Sequence, residues 1–143
     1  IMDGDMQHDP KYIMPMFNKF QKKCDILVGA RQLTKGPNQG LSEIRRLVSN
    51  ILIIFFSIFK IKTIDPMSGF FIFKKSIYLE NKKNFFGQGF KILADFLINS
   101  KSSLVVKDFF IQFKRRYEDK SKMNSKILLI LIKFYIVSFF KKL

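Results

Sequence analysis

Three short runs rich in β-branched and aromatic residues constrain the fold most: DILVG at 25–29, FFIF at 70–73 and LVVKDFFIQF at 104–113. Each is strand-length, and stretches with apolar residues at helical spacing separate them. Strands alternating with helices imply an α/β layered domain, in which helices cover the sheet. DILVG, nearly all apolar and closed by glycine, reads as a buried parallel strand. In such sheets ligands gather beyond the C-terminal ends of the strands.

The helical stretches are legible in turn. After Asp9-Pro10, a proline suited to a helix start leads into Ile13, Met16, Phe17 and Phe20 at one-face spacing. Residues 30–40, ARQLTKGPNQG, read as a loop from their Gly, Pro and Asn content. Ser42 caps a helix expected to run to about Lys60, apolar from Ile51 to Phe59 except at Ser57. Asp65 to Gly69, DPMSG, reads as a turn, Gly89 to Ser100 as a helix, KRRYEDKSKM as a charged loop and Lys126 to Leu143 as a last helix. The apolar parts fall short of the roughly 20 residues that span a bilayer.

At 143 residues with 48% apolar content, the chain holds one domain's worth of core and is not compositionally disordered. Its formal charge of +15 suits anionic partners. Nucleic acid is disfavoured among them: the aromatics lie inside apolar runs rather than between basic residues, and no RNP-type or helix-turn-helix signature is present. The single cysteine, Cys24, excludes an internal disulfide and fits a reducing compartment. No stretch reads as a signal peptide.

Against this basic background, IMDGDMQHDP places Asp3, Asp5 and Asp9 close together. Asp3 and Asp5 are two apart, so at a strand exit both carboxylates point to one side, and Gln7 continues the row. Two carboxylates and an amide oxygen are hard ligands suited to Mg²⁺ or Mn²⁺ with positions left open for a diphosphate. An EF-hand is excluded, because His8 and Met14 stand where Gly and Glu are required. A bare pair of this kind is more often an Asx-type turn, so the pair alone does not assign a function. Only Ile1-Met2 precedes it, short of the roughly 4–8 apolar residues of a buried strand. The expectation is a truncated strand and a missing N-terminal portion.

The blocks MDGDMQHDP, DILVGARQ, SEIRRLVSN, DPMSGFFIFKK, GFKILADFL and FKRRYEDKSKM occur in that order. In that order and spacing they resemble the family-two glycosyltransferases of the dolichol-phosphate mannosyltransferase group, over essentially the whole chain. The resemblance implies a GT-A, Rossmann-like α/β fold lacking here its N-terminal nucleotide-binding half, with residues 1–123 as the acceptor-side part and 124–143 as a C-terminal membrane-interfacial helix. It implies inverting, metal-dependent transfer of a hexose, mannose from GDP-mannose or glucose from UDP-glucose, onto a polyprenyl or dolichyl phosphate. The stretch alone is expected to be inactive.

The resemblance also distributes roles. Asp3, Asp5 and Gln7 would hold the divalent ion at the leaving diphosphate. Arg31, with Arg45 and Ser49 one helical turn apart, would hold the lipid phosphate, and guanidinium forks suit that anion. Arg116, Ser121 and Lys122 match a family segment reading F..R..G.SKL that closes over the donor; Asp3, Asp5 and Arg116 form the catalytic set. Asp119 stands where the family has Gly, Asp95 where it has Glu, and Leu41 where it has Trp. Asp65 is expected to orient arginine side chains or the turn, and Gly69 to let substrate approach the backbone. His8, the sole histidine, reads as a local structural group.

A lipid-borne acceptor implies a membrane-surface protein, peripheral on the cytoplasmic face. The apolar half of the 42–60 helix and the last helix, flanked by Lys60, Lys62, Lys141 and Lys142, supply apolar area with basic edges. The rival expectations are transfer to a cell-surface polysaccharide, disfavoured by the lack of a QxxRW-like segment, and a degenerate, non-catalytic membrane-surface protein.

Overall fold

A computed structural model describes residues 1–4, 7–20, 24–31, 59, 61–87, 92–100, 103–112 and 125–141. Its centre is a three-stranded sheet in the order β2-β1-β3, with β1 Ile26–Arg31, β2 Phe71–Phe73 and β3 Val106–Ile111. β1 pairs parallel with β3, from Ile26 opposite Val106 to Arg31 opposite Ile111. It pairs antiparallel with β2, Ile26 opposite Phe73 and Val28 opposite Phe71. The sheet is therefore mixed. The turn before β2 lies at the C-terminal end of β1, so the chain re-enters the sheet running back.

Two further residues lengthen β1 beyond the expected DILVG: Ala30 and Arg31, read as loop, stay on the ladder with β3. At the outer edge of β2, the amine nitrogen of Ile1 donates to the Phe71 carbonyl at 2.9 Å, and the Phe71 N–H donates back to the Ile1 carbonyl at 3.1 Å. Met2 bridges Phe70, and the Asp3 N–H donates to the Gly69 carbonyl at 3.0 Å. Residues 1–3 thus run antiparallel to β2 and parallel to β1.

The pleat sends alternate side chains of β1 to two cores. Ile26 and Val28 join Phe71, Ile77, Leu93 and Phe96 on one face, under α2 Lys75–Asn81 and α3 Ile92–Asn99. Leu27 joins Met16, Cys24, Phe70 and Ile111 on the other, under α1 Ile13–Phe20. Asp9 caps the 3-10 turn Pro10–Tyr12 that opens into α1, its carboxylate accepting from the Lys11 N–H at 3.0 Å. α4, Ser125–Phe140, forms an outer layer on α3 through Leu131, Phe134 and Tyr135 against Ala94 and Ile98. α2 was not foreseen: of the apolar residues in KSIYLEN only Ile77 is buried on the sheet, while Leu79 is exposed. The expected 42–60 helix lies outside the described residues apart from Phe59, which packs on the α3–α4 core.

Candidate functional site

The C-terminal edge of the parallel strands gathers the chemistry. Arg31 ends β1, and its Nε and Nη2 donate to the two carboxylate oxygens of Asp65 at 2.7 and 2.8 Å. The Arg31 backbone N–H adds a third bond to Asp65 at 3.3 Å. The Asp65 side chain is only 7% exposed, whereas that of Arg31 is 42% exposed. The buried carboxylate therefore aims a guanidinium that still reaches solvent, as the sequence reading of Asp65 expected. This pairing holds the arginine more firmly protonated than usual.

Asp65 opens a β-turn, closed by the Ser68 N–H donating to the Asp65 carbonyl at 3.1 Å, with Pro66 at the position that prefers its fixed φ. Ser68 is buried, and its hydroxyl donates to the Gly29 carbonyl at 2.7 Å while accepting from the Phe70 N–H at 3.2 Å. It thereby sits inside the β1–β2 ladder. Gly29 suits this close approach, because a Cβ there would stand 3.0 Å from the Phe70 carbonyl oxygen, tighter than most side-chain contacts.

Gly69 makes room for a neighbouring side chain. A Cβ on it would run into the Asp3 carboxylate, so the bare backbone forms the cradle in which Asp3 rests. The single turn DPMSG thus holds Asp3 with its last residue and Arg31 with its first.

By register Asp3 stands level with Gly69 and Ala30, and Arg31 is one residue further along β1. They share the edge two strands apart, roughly 10 Å from the usual strand spacing. Pleat alternation starts their side chains on opposite faces, so a ligand touching both would lie over the strand ends.

Gln7 is half-buried, and His8 is buried with its ring 5.2 Å from that of Phe70, the structural role expected of it. Asp5, Arg45, Ser49, Arg116, Ser121, Lys122 and Asp119 lie outside the described residues. Among the described residues, no three His, Cys, Asp or Glu side chains cluster as a metal site.

Thr63 and Asp108 escaped sequence reading. On β3 the Asp108 carboxylate accepts from the Thr63 hydroxyl through Oδ1 and from the Ile64 N–H through Oδ2, the latter at 3.2 Å. The Thr63 oxygen in turn accepts from the Asp65 N–H at 3.3 Å. An acidic residue inside a strand is a departure from strand composition, and that is the signal that would have found Asp108. Asp95, the carboxylate standing where the family has Glu, is buried, accepting from the Phe86 and Gly87 N–H groups at 3.0 and 2.9 Å and from Asn99 at 2.7 Å. It pins a bend in which Gly87 has φ +66°.

An α/β unit with a carboxylate and a braced arginine at one strand edge is the class of protein defined here. No family model matches the chain. It is 34% identical to the dolichol-phosphate mannosyltransferase of Pyrococcus furiosus over 90% of its length and 36% of that protein's. With the dolichol-phosphate mannosyltransferase of Saccharomyces cerevisiae it is 29% identical, over 90% of this chain and 49% of the relative. The resemblance to the dolichol-phosphate mannosyltransferase group thus holds across nine-tenths of the chain, and the chain spans between a third and a half of the curated relatives it matches.

Proposed function

We propose that the chain is the acceptor-side part of a GT-A glycosyltransferase that moves a hexose from a sugar nucleotide, GDP-mannose or UDP-glucose, to a polyprenyl phosphate with inversion. The observation that carries this reading is the DPMSG turn, which braces a solvent-reaching arginine and seats an aspartate at one strand edge. Their separation of roughly 10 Å suits two anionic groups on either side of a reacting sugar carbon.

Arg31 holds the phosphate of the acceptor, its fork kept in register by Asp65. The second pKa of a phosphate monoester is about 6, so the attacking oxygen is already largely anionic at neutral pH. No strong general base is needed. Asp3, an exposed hard-oxygen donor resting on Gly69, fits Mg²⁺ or Mn²⁺, with Asp5 and Gln7 completing the set. The bound ion supplies neutralisation of the charge that gathers on the leaving diphosphate. Arg45 and Ser49 act with Arg31 on the acceptor, and Arg116, Ser121 and Lys122 cover the donor.

The outer face of α4 supports attachment to the cytoplasmic membrane surface as a peripheral protein. Leu129, Ile132, Ile136, Phe139 and Phe140 are exposed along it, with Lys133 and Lys141 also exposed. Among the described residues no helix is long and apolar enough to cross a membrane.

The test uses the full protein that carries this chain, dolichyl phosphate in detergent, and labelled GDP-mannose or UDP-glucose. The expected result is a labelled lipid product that EDTA abolishes and Mg²⁺ or Mn²⁺ restores. Gly69→Ala, which evicts Asp3 from its cradle, should lower the rate by about ten- to a hundredfold. Absence of product with both donors, in protein that is folded and metal-loaded, would overturn the reading.

A further inference from the structure

We propose that Thr63 and Asp108 are positioning residues for Arg31, acting through Asp65; the inference rests on the acceptor role just given to Arg31. Asp108 belongs to β3, directly across the parallel ladder from Val28, and is half-buried. Both of its oxygens are spent on the strap that approaches the turn: Oδ1 on the Thr63 hydroxyl and Oδ2 on the Ile64 N–H. Thr63 passes the constraint on, because the oxygen that donates to Asp108 also accepts from the Asp65 N–H. Asp65 then has its backbone held on one side while its carboxylate takes Nε, Nη2 and the backbone N–H of Arg31 on the other.

The chain of contacts runs from β3 to β1. It matters because a two-point grip on a guanidinium works only if the carboxylate plane matches the fork. Beyond the turn it opens, Asp65 belongs to neither helix nor strand, and nor do the residues 61–64 leading into it. Asp108 supplies the missing anchor from a strand whose register to β1 is set by the whole ladder. Thr63 is needed for its hydroxyl, which both donates and accepts. Serine preserves that function and valine, of nearly the same shape, removes it.

The experiment pairs a spectroscopic with a kinetic readout on the full protein. The Arg31 Nε–H resonance is followed in ¹⁵N-labelled protein, assigned by its loss in Arg31→Lys, and initial rates are taken with dolichyl phosphate as acceptor. Thr63→Val and Asp108→Ala should each shift the resonance and raise the KM for dolichyl phosphate by about five- to tenfold, with kcat and the donor KM within about twofold. Thr63→Ser should restore both. Placed on Arg31→Lys, Thr63→Val should add less than about a twofold change.

A wild-type resonance position in Thr63→Val, or a donor KM that rises in step with the acceptor KM, would overturn the proposal. A shifted resonance in a protein that transfers no sugar would uphold the bracing of Arg31 and overturn the transferase reading, so the two failures are distinguishable.

Discussion

At the far end of β1 from Arg31, Asp25 does the opposite job: it closes the sheet where no substrate is expected. Its carboxylate accepts from Lys74 Nζ at 2.7 Å and from the Val105 N–H at 2.8 Å, tying the entries of β1 and β3 to the end of β2. The bond from Lys74 and then that from Val105 hold the Asp25 carboxyl below the usual carboxylate range. A depressed folded pKa stabilises the protein above the unfolded value, near 4, and the contribution is lost as pH falls through the folded pKa. Asp25→Asn should therefore melt earlier at neutral pH, by about 1 kcal/mol, and the gap between the two proteins should close in melts taken progressively below about pH 4. Cys24, next to it, is buried, and burial pushes its thiol up, so it is a packing residue rather than a nucleophile.

Among the helices, α3 contributes side chains to two cores. One side presents Phe96 to the sheet core, where its ring lies 4.7 Å from that of Phe73 edge-on, 4.5 Å from that of Phe85 stacked and 6.2 Å from that of Phe71. The other side offers Ala94 and Ile98 to α4. Helical periodicity predicted this element because apolar residues on it recur along the chain, and a local pattern needs no partner to be read. Its apolar residues face two ways, which explains why the segment is so uniformly buried. Phe96→Ala should cost about 3–5 kcal/mol in denaturant unfolding, whereas Phe96→Leu should cost about half that or less. β2 was legible for a different reason: its consecutive aromatics are unsuited to a turn. Its direction was not, because strand polarity depends on where the preceding turn delivers the chain.

For the molecule as a whole, the layers run α1, sheet, α2 with α3, then α4, and the last of these presents two apolar stripes. Leu131, Phe134, Tyr135 and Ser138 face inward, and Asn99 donates to the Ser138 hydroxyl at 3.1 Å. Phe140, 70% exposed, belongs to the outward stripe. A helix with one stripe already buried has only the other left for lipid. The full protein should float with vesicles containing anionic lipid and be partly released by salt, given the +15 net charge of this stretch. Replacing Ile136 and Phe140 by Asp should reduce flotation by about tenfold while leaving the fold's melting curve nearly unchanged. Equal flotation of the variant and the parent would place the lipid contact elsewhere.

The three strands, α1, α3 and α4, the chemical inventory and the resemblance to the mannosyltransferase group were legible in the sequence alone, because periodicity and ordered motifs are properties of neighbours along the chain. The expectation that Asp65 orients arginine side chains or the turn came with that resemblance. Which arginine it meets is a long-range fact: 34 positions separate Arg31 from Asp65 and 45 separate Thr63 from Asp108. Only the sheet order and its register bring those groups within hydrogen-bonding reach. The same holds for Gly69, which looks like any turn glycine until the chain from Ile1 to Asp3 is laid beside β2 and the carboxylate occupies the space a side chain would fill.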